Sequence, residues 1–485
     1  MQTSQLEEQA TAEPKTGRGK RLAVVLAVLI LGVVAGIGVG FGVSALGGIA
    51  LATRFLAPAA VVATAPPPPP VVLHPALRPA ADDGPAPTRT GIGAVLDPLI
   101  AAGGLGTLSG QVIDPATGAV LWQQHPTTAL TPGSTAKLLT ASAALLTLDH
   151  QERLRTTVVA GAEPGTVVLV GGGDPTLSAA SSGAASGYPG AARLDDLVDQ
   201  VRAHGPVTRV LVDVSRYTGD AFAPGWFPAD VAGGYIAPIE PVMLDGGRED
   251  PSQEVSPRAA KPATAAAAEL ARRLGADPDT VTVGTAPTSA AVLGEVFSPP
   301  VQDLVATALT ESDNVLAEAL AREVAHATGA PPSFAGASQA VLTVLSQHGF
   351  DVSGAAMVDG SGLSINDAVP ATLLTELLGA AAAPDQSQQQ RRQQTVALRA
   401  LLVGLPVAGG SGTLADRYHG PAAAGRGWVR AKTGTLTGVN SLAGTVLDAD
   451  GRMLVFALLS NGPDPLSVRP RLDALAAGLR SCGCR

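Results

Sequence analysis

The chain has 485 residues and a net charge of −9 at neutral pH, enough length for more than one domain and too acidic for general nucleic-acid binding. Aromatic residues make up 3% against 46% hydrophobic, which calls for an aliphatic, tightly packed core. Cys482 and Cys484 are the whole cysteine complement, which rules out a disulfide framework for the body and a four-ligand structural zinc site.

Residues 1–21 read as a cytoplasmic tail and 22–53 as a transmembrane anchor. From Leu22 to Thr53 no side chain is charged, a run longer than the roughly 20 residues needed to cross a bilayer. Lys15, Arg18, Lys20 and Arg21 precede it, so the positive-inside rule puts the N-terminus in the cytoplasm and the rest of the chain outside. A signal peptide cut near Ala63-Thr64-Ala65 is the competing reading; the apolar run exceeds an ordinary signal core of about 7–15 residues, which favours a retained single-pass anchor in the cell membrane. Residues 54–92 form a Pro/Ala-rich linker including Pro66–Pro70, expected to be extended polyproline II and to act as a semi-rigid spacer.

The folded part reads as three stretches: 93–155, an inserted α+β subdomain over 156–285, and 286–485. Gly110–Asp114 and Ala119–Gln123 flank Pro115-Ala-Thr-Gly118 and predict a hairpin. Leu138, Ala141, Leu145 and Leu148 then predict a buried helix starting at or near Ser134. In the insert, Val167–Val170 and Arg209–Asp213 read as short strands between Gly/Pro-rich loops. Helical spacing returns at Val301–Leu309 and Leu316–Val324, with Ser312-Asp313-Asn314 in the break. Gln386–Gln394 reads as an exposed loop or helix end, Trp428–Thr433, Val439–Leu447 and Met453–Ser460 as antiparallel strands, and about 468–480 as a closing helix.

Five of the 32 basic residues are lysine, and past the apolar segment only Lys137, Lys261 and Lys432 remain. Two of these stand in Ser134-Thr-Ala-Lys137 and Lys432-Thr433-Gly434-Thr435. An ammonium can lose its proton when buried and a guanidinium cannot, so this usage points to a deprotonatable amine beside a hydroxyl nucleophile. Ser134 at a helix start would be the nucleophile, and Lys137 its base if desolvation and the nearby Lys432 cation keep the amine neutral. Ser312 offers a proton relay to the leaving amine, and Asn314 can hold a peptide amide. Thr433 and Thr435, with Lys432, suit a substrate carboxylate, and a strand carrying Lys432–Thr435, Gly434 included, could pair with an extended peptide. The backbone N–H groups of Ser134 and Thr435 would form the oxyanion hole. This chemistry needs neither metal nor cofactor. His74, His125, His150, His204, His326, His348 and His419 stand singly and support no rival triad.

Ser134-x-x-Lys137, Ser312-Asp-Asn314 and Lys432-Thr-Gly434, in that order, resemble the signature of class A β-lactamases and penicillin-binding proteins. Gly171–Leu177, Ala223–Phe227, Tyr235–Pro238, Asp359–Ser364, Leu405–Gly409 and Gly412–Leu414 extend a similarity to D-alanyl-D-alanine carboxypeptidase/endopeptidases of the penicillin-binding protein 4 type, the class C low-molecular-mass group. The resemblance implies an α/β (α+β) transpeptidase/β-lactamase-like domain, an antiparallel sheet flanked by helices, interrupted by the insert. It implies an acyl-enzyme on Ser134 that removes the terminal D-Ala of peptidoglycan stem peptides and is inhibited by β-lactams. Ser134, Lys137, Ser312 and Lys432 would be catalytic, and Asn314, Thr433, Gly434 and Thr435 would bind substrate. Two departures stand out: the insert is shorter than in the larger family members, and Ile365 follows Asp359–Ser364 where the family usually has arginine. The alternatives are a serine β-lactamase, against which the large insert and the lack of a Glu-containing deacylation loop argue, and a non-catalytic peptidoglycan-binding protein on a retired peptidase fold.

Overall fold

The computed structural model describes residues 84–483 apart from 182, 254 and 385–388. The proposed membrane segment and most of the linker lie outside them; among the described residues no helix is long and apolar enough to cross a membrane. Helix α1 (Arg89–Ala101) starts within the stretch read as linker, because the Thr88 hydroxyl caps it by accepting from Gly91 N.

Strands β1 (Thr107–Asp114) and β2 (Ala119–Gln124) form the predicted hairpin. Asp114 shapes its turn by accepting from Ala116 N and Thr117 Oγ1. A 3₁₀ turn, Gly133–Ala136, runs into α2 (Lys137–Thr147), so Ser134 lies one step before the α-helix proper. Small residues let α2 be buried on nearly every side, from Lys137 to Leu145.

The inserted region builds its own mixed sheet from β3 (Arg153–Ala160), β4 (Thr166–Val170), β5 (Arg209–Asp213), β6 (Thr282–Val283) and β7 (Val292–Pro300), in the order β6-β5-β4-β3-β7. Helix α3 (Leu194–Arg202) buries Leu194, Leu197, Val198 and Val201, a spacing that keeps one face on the sheet. Helix α4 (Pro262–Leu274) packs on it through Ala263, Ala267 and Leu270. Strand β7 lies past residue 285, where the sequence reading closed the insert. It joins this sheet by pairing with β3, a long-range contact that local pattern does not display.

Helices α5 (Val301–Thr310), α6 (Asn314–Ala327), α7 (Phe334–Gln347), α8 (Ala371–Ala382) and α9 (Gln389–Gly404) share a core with α2. Strands β8 (Val429–Leu436), β9 (Val439–Leu447) and β10 (Met453–Asn461) complete the antiparallel main sheet, ordered β2-β1-β10-β9-β8. Helix α10 (Pro465–Ser481) covers its other face together with α1. Along β10, Val455, Ala457 and Leu459 enter the core shared with α2, while Leu454, Phe456 and Leu458 enter the core under α10. A strand buried on both faces must be apolar without alternation, as 453–459 is. Cys482 ends α10 buried and disulfide-bonded, and Cys484 is outside the described residues.

Candidate active site

Ser134 stands on the 3₁₀ turn and is partly open to solvent, while Lys137 one turn on is 1% exposed. Gly133 makes this turn possible: it takes φ +53, and a Cβ there would meet Thr435 N at 3.0 Å. From the other side, a Cβ on Gly434 would stand 2.4 Å from Pro132 O and 3.0 Å from Ser134 N. Two glycines thus let the Ser134 turn and the edge strand β8 meet backbone to backbone. Gly434, expected to bind substrate, acts first as this contact.

Lys137 Nζ has three polar neighbours: Ser134 Oγ at 2.9 Å, Asn314 Oδ1 at 2.5 Å and the Ser361 carbonyl at 2.8 Å. The Asn314 amide is fixed in orientation because its Nδ2 donates to Tyr235 O at 2.9 Å. Asn314 Oδ1 and Ser361 O can only accept, so a neutral amine gives them its two N–H groups and turns its lone pair toward the Ser134 hydroxyl. Asn314, expected to hold a peptide amide, has its oxygen taken up by the base and keeps one N–H for substrate.

Ser312 takes φ +57, a left-handed conformation that costs a non-glycine residue about 1–3 kcal/mol. Asp313 holds it by capping α6, accepting from Leu316 N at 2.9 Å. Tyr188 OH and Arg248 in turn donate to Asp313 Oδ2 at 2.8 and 3.4 Å. Burial by itself would raise the Asp313 carboxyl, but Arg248 and Arg258 outweigh it and hold the group below its usual value. The strain turns Ser312 Oγ toward Lys432 Nζ, 2.8 Å away. Lys432 also donates to the Thr433 carbonyl at 3.0 Å.

Both amines are displaced downward. Burial pushes Lys137 to about 8, the carboxylates of Asp359 and Glu318 opposing it in part. Lys432, 0% exposed, is pushed well below its ordinary value by burial, then by Lys137 and Arg417. Desolvation is therefore the main cause at Lys137, where a neighbouring Lys432 cation had been expected to share the task. Lys261, the remaining lysine among the described residues, is exposed, so the two buried lysines are the two of the site.

Strand β8 is paired with residues 406–408 as far as Ala431 and presents an open edge beyond it. Ala431 N turns away from β9 to Pro406 O, and the two-residue period of the ladder directs the N–H groups of Thr433 and Thr435 to the same side. Thr433 Oγ1 lies 2.8 Å from Thr413 Oγ1, and Thr435 is exposed. The eight predicted residues come together from three separate chain segments. Reasoning from sequence missed Gly133, Ser361, Thr413 and Tyr235. The Asp359–Ser364 and Gly412–Leu414 stretches had been singled out without roles, and their glycine and hydroxyl content was the available signal.

A serine whose hydroxyl faces a buried, low-pKa amine beside an open strand edge defines an acyl-transferring serine hydrolase. The chain belongs to the D-Ala-D-Ala carboxypeptidase 3 (S13) family, whose model matches residues 93–256 and 249–480, and it is a serine-type D-Ala-D-Ala carboxypeptidase. It is 50% identical over 417 residues to carboxypeptidase DacB of Mycolicibacterium smegmatis, covering 84% of this chain and 88% of that protein. Carboxypeptidase Rv3627c of Mycobacterium tuberculosis is 47% identical over 415 residues, covering 84% and 87%. In fold the chain is similar to penicillin-binding protein 4 (dacB) from Haemophilus influenzae, with a TM-score of 0.63 at 20% identity over 80% of this chain and 97% of that one.

Proposed function

We propose that the protein removes the terminal D-Ala of peptidoglycan stem peptides through an ester on Ser134, with β-lactams as inhibitors at the same residue. The observation that carries this is the accounting at Lys137, whose two pure acceptors leave the lone pair for Ser134 Oγ. Lys137 takes the hydroxyl proton as Ser134 Oγ bonds to the scissile carbonyl carbon. The backbone N–H groups of Ser134 and Thr435 stabilise the oxyanion. As the C–N bond breaks, the proton taken by Lys137 is passed to the leaving amine with the Ser312 hydroxyl, held by Lys432, as relay, so that Lys137 is neutral again. Water then attacks the ester with Lys137 again as base, freeing the shortened peptide. Asn314 Nδ2 and the β8 edge hold the peptide in extended form, and Thr433, Thr435 and Lys432 receive the terminal carboxylate. Cleavage of D-Ala cross-links in the same cleft requires a longer acyl acceptor side and no other chemistry.

Labelling by a fluorescent penicillin tests the reading. The native protein should label and Ser134→Ala should not; equal labelling of both rejects it. Mass spectrometry of products from a defined muropeptide mixture then reports which bond is cut.

We further propose that 22–53 anchors the enzyme in the cell membrane with the catalytic part outside, on the strength of the uncharged run and the four cations before it. In this reading the chain between the anchor and α1 is the spacer, and the inserted region with its β3–β7 sheet interrupts a catalytic domain formed by the chain before and after it. Release of the intact chain by a salt wash, without detergent, would reject the anchor.

A further inference from the structure

The Asp359–Ser364 loop, which brings the Ser361 carbonyl to Lys137, is folded around one carboxylate. Asp359 Oδ1 accepts from Ser361 N at 3.0 Å and Gly362 N at 2.6 Å. Its Oδ2 accepts from Ser364 N and from Trp226 Nε1 of the inserted region, both at 2.7 Å. The residue is 0% exposed, and all four of these contacts are donors to its two oxygens.

Asp367, 1% exposed, lies against it in side-chain hydrogen-bond contact. Asp367 Oδ1 accepts from Val358 N at 2.8 Å, whereas no protein donor reaches its buried Oδ2. A second buried carboxylate with an unserved oxygen next to an existing anion is strongly unfavourable. A proton on Asp367 removes both problems: it neutralises the group and supplies the donor toward Asp359.

We propose that Asp359 and Asp367 hold one proton between them, and that this pair, braced by Trp226, is the positioning device that sets the Ser361 carbonyl on Lys137 and so aims the amine at Ser134. The inference rests on the reading of Ser134 as nucleophile and Lys137 as base. Burial first, and then the Asp359 charge, push the Asp367 carboxyl up to about 10. The other titratable groups acting on the pair are Lys137 from α2 and Glu318 from α6, and Arg322 acts in turn on Glu318. Glu318 takes Gly360 N on both oxygens, so it steadies the same loop. A pair with a single charge serves the reaction better than one with two. Each added anion near Lys137 favours the ammonium, which cannot accept the Ser134 proton.

The test is the acylation rate of the full chain by a chromogenic β-lactam, followed from about pH 6 to about pH 10. Asp367→Leu removes the donor and should slow acylation about tenfold or more. Asp367→Asn keeps a neutral donor and should restore the rate to within about twofold, with the midpoint of the acidic limb unmoved. Trp226→Phe removes one N–H and no charge, and should cost about tenfold, again without moving the midpoint. A downward shift of about half a unit or more in Asp367→Asn would mean that a second charge had been lost, and overturns the proposal. Native rates in both Asp367→Leu and Trp226→Phe overturn it as well. Native protein that takes no label, or Ser134→Ala that labels equally, instead refutes the underlying assignment of nucleophile and base.

Discussion

Asn314 Oδ1 and Lys137 Nζ lie 2.5 Å apart although 177 positions separate them in the chain. The contact joins the first motif to the second and orients the base. An aspartate at 314 would put an anion there, favour the ammonium, and move the acidic limb of the acylation profile to higher pH by about a unit or more. An unmoved limb in Asn314→Asp would separate this contact from catalysis.

Lys137→Arg keeps charge and approximate length but cannot supply a neutral base at usable pH. Penicillin acylation should fall by at least about a hundredfold, the range expected for losing a general base. Near-native acylation of this variant would reject the neutral-amine mechanism.

The pH dependence follows from the Lys137 amine at about 8. The reactive form is the deprotonated one, so acylation should level off above that value and fall about tenfold per unit well below it. Rates read by stopped-flow against a chromogenic β-lactam check both limbs. A profile flat down to about pH 5 contradicts the assignment.

Thr413 supports Thr433 from an exposed position next to the β8 edge. Its hydroxyl can fix the direction of the Thr433 O–H toward a substrate carboxylate. Thr413→Val should lower kcat/KM for peptides ending in a free carboxylate by about 3–10-fold, and leave C-terminally amidated peptides unaffected. Thr413→Ser should behave as the native enzyme; an equal loss on both substrate types would indicate general disruption instead.

Gly133→Ala places a methyl group 3.0 Å from Thr435 N at a residue with φ +53. The conformational penalty is about 1–2 kcal/mol before any movement of β8, and a displaced strand would also shift the Thr435 N–H. Denaturant unfolding should register the first effect and slowed acylation the second.

Much of the framework was legible locally. The β9 and β10 strands were read close to their observed bounds, helical spacing marked α2, α5 and α6, and of the Ser312–Asn314 stretch expected in the break between α5 and α6 only Asn314 belongs to a helix. Strand β7 was not legible as a strand, because its alternation is interrupted and its partner β3 lies far back in the chain. The Ser312 backbone was not foreseeable either, since nothing in Ser-Asp-Asn demands a positive φ. The surroundings impose it, through Asp313 and its partners from the inserted region.

By itself the order of residues settled which functional groups were available: a hydroxyl three positions before a lysine, a second serine and asparagine at a helix start, and a third motif on a strand. Those are properties of short segments, written in local spacing. Tertiary structure decided what the groups can do. It buried Lys137, gave its N–H groups the distant oxygens of Asn314 and Ser361, and set Asp367 against Asp359. The proton affinity of an amine and the direction of its lone pair depend on lost water and on acceptors brought in from remote elements, and neither is encoded in any single stretch of chain.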